Sequence, residues 1–206
     1  MTRRAQQKPT GRRKPTQLRA QTTVAAMLEA VVRLLKQGGI SAITTNRIAE
    51  KAGVSIGSVY QYFPNKQAIF IALHEQHIRE VDRVMHAKID ENADEPLDRL
   101  ISSLIDGMIE IHAADPALSI LLDSEVPHRA DGSREFSVRL HGEFRTALAP
   151  HARALGGQTK LDLRAFLLGN MVEALGHAIA LRRPTGLSLR NAKVEASRAI
   201  LAALKC

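Results

Sequence analysis

Small, neutral polar side chains cluster in the middle of the first third of this 206-residue chain. Between residues 55 and 63 no residue is charged, and hydroxyl, amide and phenol groups alternate with apolar ones. Such groups can hydrogen-bond the edges of base pairs in a DNA major groove, while Ile56 can contact a thymine methyl group. The segment therefore suits the reading of a base sequence. Its exposed members are predicted to be Ser55, Gly57, Ser58, Gln61 and Tyr62.

Basic residues concentrate in the N-terminal part of the chain. Residues 1–70 contain twelve Lys or Arg and two Glu, whereas residues 71–206 hold seventeen basic and nineteen acidic residues, so the first part accounts for the net charge of +8. Residues 1–20 hold seven basic residues and few apolar ones, and cannot bury enough surface to fold alone. They form either a solubilising tail or, as we favour, a flexible arm along a nucleic-acid backbone. Its candidate contacts are Arg12, Arg13, Lys14 and Arg19.

Two further groups of residues could bind a metal ion or a ligand. His74-Glu75-Gln76-His77 places two histidines three residues apart, but on a long amphipathic helix we expect them to be solvated or at an interface, and no metal site is predicted. Asn170, Glu173 and His177 form a polar line in an apolar helix. Three interpretations are open: these residues line an effector pocket, they pair across the axis of a dimer, or they face solvent with a local Glu173–His177 pair. The single cysteine, Cys206, excludes a disulfide framework and a Cys-based zinc site.

The helical periodicity of apolar residues predicts the elements that position these residues. Aromatic residues are 3% of the chain, Trp is absent, and no strand-like alternation of useful length occurs, so an all-α fold of about nine helices is predicted. The predicted helices run over about 22–38, 44–52, 55–62, 65–91, 96–113, 116–127, 133–155 (kinked or broken at Pro150), 161–181 and 188–204.

The segment from residue 45 to residue 63 follows the logic of a helix–turn–helix. Ala49 is small where two helices cross, Gly53 permits the tight turn, and Ile48, Val54 and Val59 are spaced to fill a shared core. The third position after each capping residue, where a carboxylate or Gln usually sits, holds Arg47 in one helix and Ser58 in the next. Lys66 opposes the dipole at the next helix start. Helix starts without carboxylates leave free N–H groups that attract phosphate.

Residues from about 21 to 70 thus resemble the N-terminal domain of TetR-family transcriptional regulators. Beyond residue 90 only the helical pattern and the chain length resemble the family. The matching motifs are Leu34-Leu35-Lys36-Gln37-Gly38-Gly39, Thr44-Thr45-Asn46-Arg47-Ile48-Ala49, Ala52-Gly53-Val54-Ser55, Gly57-Ser58-Val59-Tyr60-Gln61-Tyr62-Phe63 and Asn65-Lys66.

The resemblance implies a role for each matching residue. Ile56 stands where many relatives carry a polar or basic residue, and it cannot donate a hydrogen bond to phosphate. Arg47 is included among the candidate DNA contacts. The resemblance implies that Thr45 caps the second helix and touches phosphate, that Ser55, Gly57, Ser58 and Gln61 face bases, that Tyr60 and Tyr62 reach the DNA backbone, and that Lys66 meets phosphate.

The resemblance also implies a homodimer that reads a palindromic operator. Its interface would be a four-helix arrangement of helices 161–181 and 188–204 from two chains. The helix over 161–181 is apolar almost all round and must be buried on several sides. Its small residues, Ala165, Gly169, Gly176 and Ala180, permit close helix approach, either in a dimer or in the core of one chain.

A small-molecule effector between the middle helices is a further implication of the resemblance. It would release DNA only by preferring the conformation that does not bind DNA. Its candidate contacts could equally form an ordinary packed core, and His112 could be a satisfied structural histidine. These candidates are Met108, His112, Leu122, Phe136, Leu140, Phe144, Phe166, Asn170, Met171, Glu173 and His177.

The sequence therefore predicts a flexible arm over 1–20, a helix–turn–helix domain over 21–70, and a helical regulatory and dimerisation domain over 71–206. The expected function is that of a sequence-specific transcriptional regulator, a repressor released by an effector. The alternatives are a sequence-indifferent DNA-coating protein and a metal-binding or enzymatic helical protein. Because no GxGxxG, P-loop, Gly-x-Ser-x-Gly or HExxH motif is present, no enzyme activity and no cofactor are predicted. No stretch reaches about 18 apolar residues, so we expect a cytoplasmic protein with no membrane partner.

Overall fold

The computed structural model describes residues 13–126 and 131–206, and these ranges contain nine α-helices and no β-strand. The all-α prediction is therefore confirmed. None of the helices in these ranges is both long enough and apolar enough to cross a membrane. The helices are α1 (Arg13–Gly38), α2 (Thr45–Ala52), α3 (Ile56–Tyr62), α4 (Lys66–Glu91), α5 (Leu97–Ala114), α6 (Pro116–Glu125), α7 (Asp131–Leu148), α8 (Leu161–Arg182) and α9 (Leu189–Lys205).

The chain separates into two compact units, Met1–Ile69 and Phe70–Cys206. The division falls inside α4, one residue before the boundary that the sequence predicted. In the first unit α1 packs against α2 and against a 3₁₀ turn over Ile40–Ala42, and α2 packs against α3. The first unit therefore holds the predicted helix–turn–helix, and the second holds the predicted regulatory helices.

The first helix begins at Arg13 and not near Thr22. The prediction of a flexible arm is therefore wrong for residues 13–20, which are helical. Pro15 lies in the first turn, where a missing N–H has no helical partner to lose. No Pro or Gly follows until Gly38, so nothing interrupts a helix whose later turns are anchored by the buried Met27.

The core of the second unit forms around α5. This helix packs against α8 and α9, while α7 packs against α8. The apolar spacing of α5 explains its central place, because one wide face of the helix is buried. The buried side chains on that face are Leu97, Leu100, Ile101, Leu104, Ile105, Met108 and Ile109.

The small residues of α8 allow close packing inside the second unit. Ala165 is fully buried. A Cβ atom on Gly176 would lie 2.5 Å from Cγ of Met108 on α5, and one on Gly169 would lie 3.2 Å from the ring of Phe144 on α7. The close helix approach that the sequence offered to a dimer is therefore used within the chain's own core.

A buried cation links three segments of the second unit. Arg164 on α8 is 6% exposed, and its guanidinium donates to the carbonyls of Leu155 (3.4 Å) and Ala203 (3.3 Å). Leu155 ends the 3₁₀ segment Ala149–Leu155 that follows α7, which matches the break predicted at Pro150. Ala203 lies in the last turn of α9, where carbonyl groups carry partial negative charge. Within the described residues, no carboxylate forms an ion pair with Arg164.

Candidate functional site

The turn between α2 and α3 depends on Gly53. Its backbone is left-handed, with φ 68° and ψ 33°, a conformation that side-chain-bearing residues adopt at a cost of about 1–2 kcal/mol. Its N–H donates to the carbonyls of Ala49 and Glu50 and so closes α2. The N–H of Val54 then donates to the Ala49 carbonyl at 3.0 Å. The chain can therefore reverse within a few residues and start α3 against α2.

Apolar residues on the inner side fix which face of α3 points outward. Ile48 and Ala49 of α2 are buried, as are Val59 of α3 and Phe63 directly after it. Val54 in the turn is half-buried. The spacing predicted from the sequence thus places its apolar residues inside the unit, and the polar residues between them on the surface.

Side-chain caps define where both helices begin. The hydroxyl of Thr44 accepts from the N–H of Arg47 (3.3 Å), and the hydroxyl of Ser55 accepts from the N–H of Ser58 (3.0 Å). The resemblance assigned the first cap to Thr45, and that assignment is wrong. Thr44 has the extended backbone that a capping residue needs, whereas Thr45 is already the first helical residue. Neither helix has an acidic residue in its first turn, so both retain a field that attracts anions.

The outer surface of α2 and α3 carries the candidate DNA contacts. The side chains of Ser55 and Ser58 are hydrogen-bonded to each other at 2.8 Å, and the Tyr60 hydroxyl lies 3.4 Å from the Thr45 hydroxyl. Tyr60 is 52% exposed, so its phenol lies at the surface of the unit. The exposed candidates are Arg47, Ser55, Gly57, Tyr60 and Gln61, and the half-buried ones are Thr45, Ser58, Tyr62 and Lys66.

Lys66 begins α4 beside the same surface. Its ammonium group donates to the Ile40 carbonyl at 3.4 Å. Asn65 precedes it, and its side-chain oxygen accepts from the N–H of Ala68 at 2.9 Å. The first turn of α4 contains no acidic residue. This helix start therefore combines a cation with the positive end of a helix dipole, which is the chemistry of a phosphate contact.

The candidate arm residues divide into three groups. Arg12 lies outside the described residues. Arg13 and Lys14 belong to the first turn of α1, and Arg19 is exposed farther along that helix. Because a helix holds its residues at fixed intervals along its axis, Arg19 has a defined position in the first unit.

The candidate effector contacts do not share one environment. Met108, Leu122 and Phe144 are buried, while Phe136, Leu140 and Met171 are partly buried against the same core. Phe166 is 57% exposed, and Asn170 and Glu173 on the same strip of α8 are exposed as well. All three residues are open to solvent in the single chain, which favours a dimer contact or a solvent-facing position over an internal pocket. The sequence could not separate them from core positions, because α8 is apolar on nearly every side.

A cluster of histidines in the second unit went unrecognised in the sequence. His77 on α4, His112 on α5 and His177 on α8 pack ring against ring. The centroids of His77 and His112 are 5.3 Å apart, and those of His112 and His177 are 4.7 Å apart with the rings nearly perpendicular (85°). Ser119 and Asp123 of α6 border the cluster. His177 therefore pairs across helices with Asp123, at 2.9 Å, and not along α8 with Glu173.

Burial changes the acid–base chemistry of this cluster. His112 is 7% exposed, and desolvation, followed by the charges of His77 and His177, lowers its pKa from 6.5 to about 4. The pKa of His77 is also lowered, first by burial and then by His74, although Asp123 and Glu80 oppose the shift. Because positive charge is disfavoured here, the rings of His77 and His112 are neutral at physiological pH.

A periodic signal could have revealed the cluster. His77 lies four residues after the buried Leu73 and four before the buried Val81, and His112 lies four residues after the buried Met108. Both histidines therefore occupy core stripes. Of the two expectations for the strip with His77, solvated or at an interface, the half-buried position of His77 against His112 favours the interface. In the part of the chain that the structure describes, no group of three or more His, Cys, Asp or Glu side chains is arranged to hold a metal ion.

Comparison with known proteins connects both units to one family. The model of bacterial regulatory proteins of the tetR family matches residues 27–73, and a model of tetracyclin repressor-like C-terminal domains matches residues 96–204. The regulator TtgR of Pseudomonas putida is 37% identical over 86 residues, which are 40% of this chain and 39% of that protein. The chain thus matches only about two fifths of this relative's length.

Solved structures show the same fold at low sequence identity. A protein of unknown function from Rhodococcus sp. RHA1 matches with a TM-score of 0.69 and 18% identity, covering 89% of this chain and 96% of that one. The regulator FadR of Bacillus subtilis, solved with stearoyl-CoA, matches with a TM-score of 0.59 and 19% identity, covering 87% and 96%. TetR-family proteins are DNA-binding regulators and not enzymes. Since one family model alone spans more than half of its residues, the chain belongs to the TetR family.

Proposed function

We propose that this protein is a transcriptional repressor that binds a palindromic operator through α3 and the starts of α2 and α4. The observation that carries the proposal is the exposed, uncharged face of α3, on which Ser55, Gly57 and Gln61 are open to solvent. Neutral hydrogen-bonding groups discriminate between base edges, whereas cations bind phosphate of any sequence. The buried Val59 on the opposite side of α3 holds that face outward.

The basic residues of the first unit supply the complementary, sequence-independent part of binding. Lys66 and Arg47 lie at helix starts without acidic neighbours, where phosphate contacts are favoured. Each phosphate neutralised releases counterions, so affinity should fall steeply as salt rises. We therefore assign affinity to the cations and sequence preference to α3.

Selection from a random duplex library tests the proposal. The protein should enrich one palindromic sequence and bind it at least about a thousandfold more tightly than a scrambled duplex at the same salt concentration. A ratio near one at two salt concentrations would instead support the sequence-indifferent DNA-coating protein. The measurement is fluorescence anisotropy with labelled selected and scrambled duplexes.

Two substitutions distinguish recognition of the base sequence from affinity for DNA of any sequence. Gln61→Ala should change the preferred base at one position of each half-site. The binding free energy that favours the original base there should fall by about 1–3 kcal/mol. Lys66→Ala should weaken binding to every duplex and lower the slope of log affinity against log salt by about one. Gln76→Ala and Lys205→Ala serve as matched controls on exposed positions of the second unit, and both should leave the profile unchanged.

We infer that the protein acts as a homodimer through α8 and α9. A dyad is needed because one helix–turn–helix reads too few base pairs, and paired half-sites lie about 34–36 Å apart or a multiple of that. Support comes from large apolar side chains left exposed on these packed helices: Leu163 and Phe166 on α8, and Leu189 and Val194 on α9. Apolar patches of this kind mark association surfaces.

Sedimentation analysis of two charge substitutions tests the dimer. Phe166→Glu places a carboxylate at the centre of the inferred interface and should yield monomers. Val138→Glu is the matched control, because Val138 is also an exposed apolar residue (69%) but lies on α7. It should leave the dimer intact. Equal sedimentation of both variants would place the interface elsewhere.

We also propose that the second unit binds a small-molecule effector. The match to tetracyclin repressor-like C-terminal domains over residues 96–204 supports this part of the proposal. The stearoyl-CoA in the FadR structure provides a first probe. Stearoyl-CoA should release the selected duplex, whereas coenzyme A alone should not. Release requires that the effector prefer the conformation with low DNA affinity.

A further inference from the structure

Three imidazole rings meet inside the second unit, where the fold itself needs only apolar side chains. His112 lies in the row of α5 that otherwise presents Leu104, Ile105 and Met108 to the core. A buried polar ring is costly unless its nitrogen atoms find partners. The Nδ1 atom of His112 has one in Ser119, whose hydroxyl lies 3.2 Å away and is itself buried. The site is thus built around an uncharged histidine.

The ring of His177 is contacted from two sides. An arginine can only donate, so the Nδ1 atom of His177 accepts from Arg182 at 3.1 Å. Its Nε2 atom lies 2.9 Å from the carboxylate of Asp123. Arg182 therefore places a cation beside the histidine rings, and Asp123 places a carboxylate there.

We propose that His77, His112 and His177 form a proton-sensitive latch, in which the contacts among the three rings hold α4, α5 and α8 together at neutral pH and mild acid separates these helices. The proposal concerns the second unit alone and goes beyond the DNA-binding function. Its parts come from four different helices, because Ser119 and Asp123 of α6 hold the rings from one side. Any charge that develops among the rings therefore acts on helix packing.

The charges around the rings act in both directions on a proton. On α4, Glu80 favours a proton on His77 while His74 opposes it. Asp123 on α6 also favours a proton on His77, but the Asp123 side chain is half exposed, so solvent and salt screen its charge. Arg182 on α8 adds a cation next to His177. On α9 Lys193 pairs with Asp106 at 2.7 Å, and on α7 Arg145 pairs with Asp162 at 2.9 Å.

The direction of the pH effect follows from linkage. An opened latch exposes His112 to water, where its pKa returns toward 6.5, while the closed form holds it at about 4. The open form therefore binds the proton more tightly, and closure is favoured above about pH 6.5 and weakened progressively as the pH falls toward 4. One such proton raises the opening equilibrium about tenfold between about pH 7.5 and pH 5.5.

Hydrogen–deuterium exchange of the full-length chain tests the latch. Exchange rates of peptides from α6 and from the middle of α4 are corrected for the intrinsic pH dependence of amide exchange, so that they report the opening equilibrium. In the wild type these peptides should lose about tenfold protection between about pH 7.5 and pH 5.5. Peptides from α2 and α3 in the first unit should change far less.

Two variants assign that change to the cluster. His112→Gln keeps a hydrogen-bonding group next to Ser119 but cannot titrate, so the loss of protection should disappear. His141→Gln is the matched control, because His141 lies outside the cluster, 3.7 Å from Asp162, and this variant should behave as the wild type. If His112→Gln does not fold, His77→Gln removes a titrating ring at a half-buried position instead.

The outcomes are decisive in both directions. A tenfold effect in the wild type and in His141→Gln that vanishes in the cluster variant supports the latch. Equal pH dependence in all variants overturns it, as does a wild type whose α4 and α6 protection does not change. DNA is absent from every measurement, so these results are independent of whether the proposed operator binding is correct.

Discussion

The helix–turn–helix and the histidine cluster both rely on polar side chains, but they assemble them over different distances along the chain. Ser55 and Ser58 are three residues apart, and their contacts are complete within one turn of α3. His77 and His177 belong to α4 and α8, which are separated by most of the second unit. A local site depends on which residues follow one another, whereas a site between helices depends on how the helices pack. The two regions should therefore respond differently to substitution.

The largest effect is expected where one side chain joins distant segments. Arg164→Ala should lower the free energy of unfolding of the second unit by about 3 kcal/mol, because the carbonyls of Leu155 and Ala203 lose their buried donor. Urea denaturation followed by circular dichroism measures it. Arg198→Ala is the control, since that exposed residue pairs only with Glu195 within α9 and should matter by less than about 0.5 kcal/mol. Similar losses in both variants would contradict the distinction.

A pair of glycines should give effects of opposite sign. Gly176→Ala places a Cβ atom against Met108 and should destabilise the second unit by about 1–2 kcal/mol, as overpacking outweighs the gain in helix propensity. Gly142→Ala on α7 meets no atom within 4 Å and should stabilise by up to about 1 kcal/mol. Thermal denaturation of both variants provides the test. Stabilisation by both would mean that α5 and α8 can move apart freely.

The sequence predicted the local features because their causes are local. The roles of Gly53, of the Ser55 cap and of the buried Ile48 and Val59 depend on neighbours a few residues away. Their pattern could therefore be recognised in the amino-acid sequence. The error at Thr45 is of the same kind, because Thr44 and Thr45 are equally good capping residues by type. Only the backbone decides which one lies outside the helix.

Features that depend on packing were less accessible. Nearly all faces of α8 are apolar, so periodicity could not show that Phe166 is exposed while Ala165 beside it is buried. The α1 helix extends back to Arg13 because helices propagate from their anchored turns, and composition alone indicated an arm. Each histidine of the cluster was visible singly, but their meeting follows only from the packing of α4, α5 and α8.

The smallest expected effect comes from two serine caps that make the same contact in different units of the chain. Ser55 caps α3 and Ser188 caps α9, each by accepting from the N–H three residues on, at 3.0 and 3.1 Å. Replacing either by Ala should cost about 1 kcal/mol, because a capping contact has the same local energetics in any helix. Only Ser55→Ala should also change the ranking of operator variants in anisotropy titrations, since only that hydroxyl lies on the proposed DNA-reading face. If Ser188→Ala altered the ranking equally, stability and not direct contact would explain both results, and the assignment of sequence reading to α3 would lose its support.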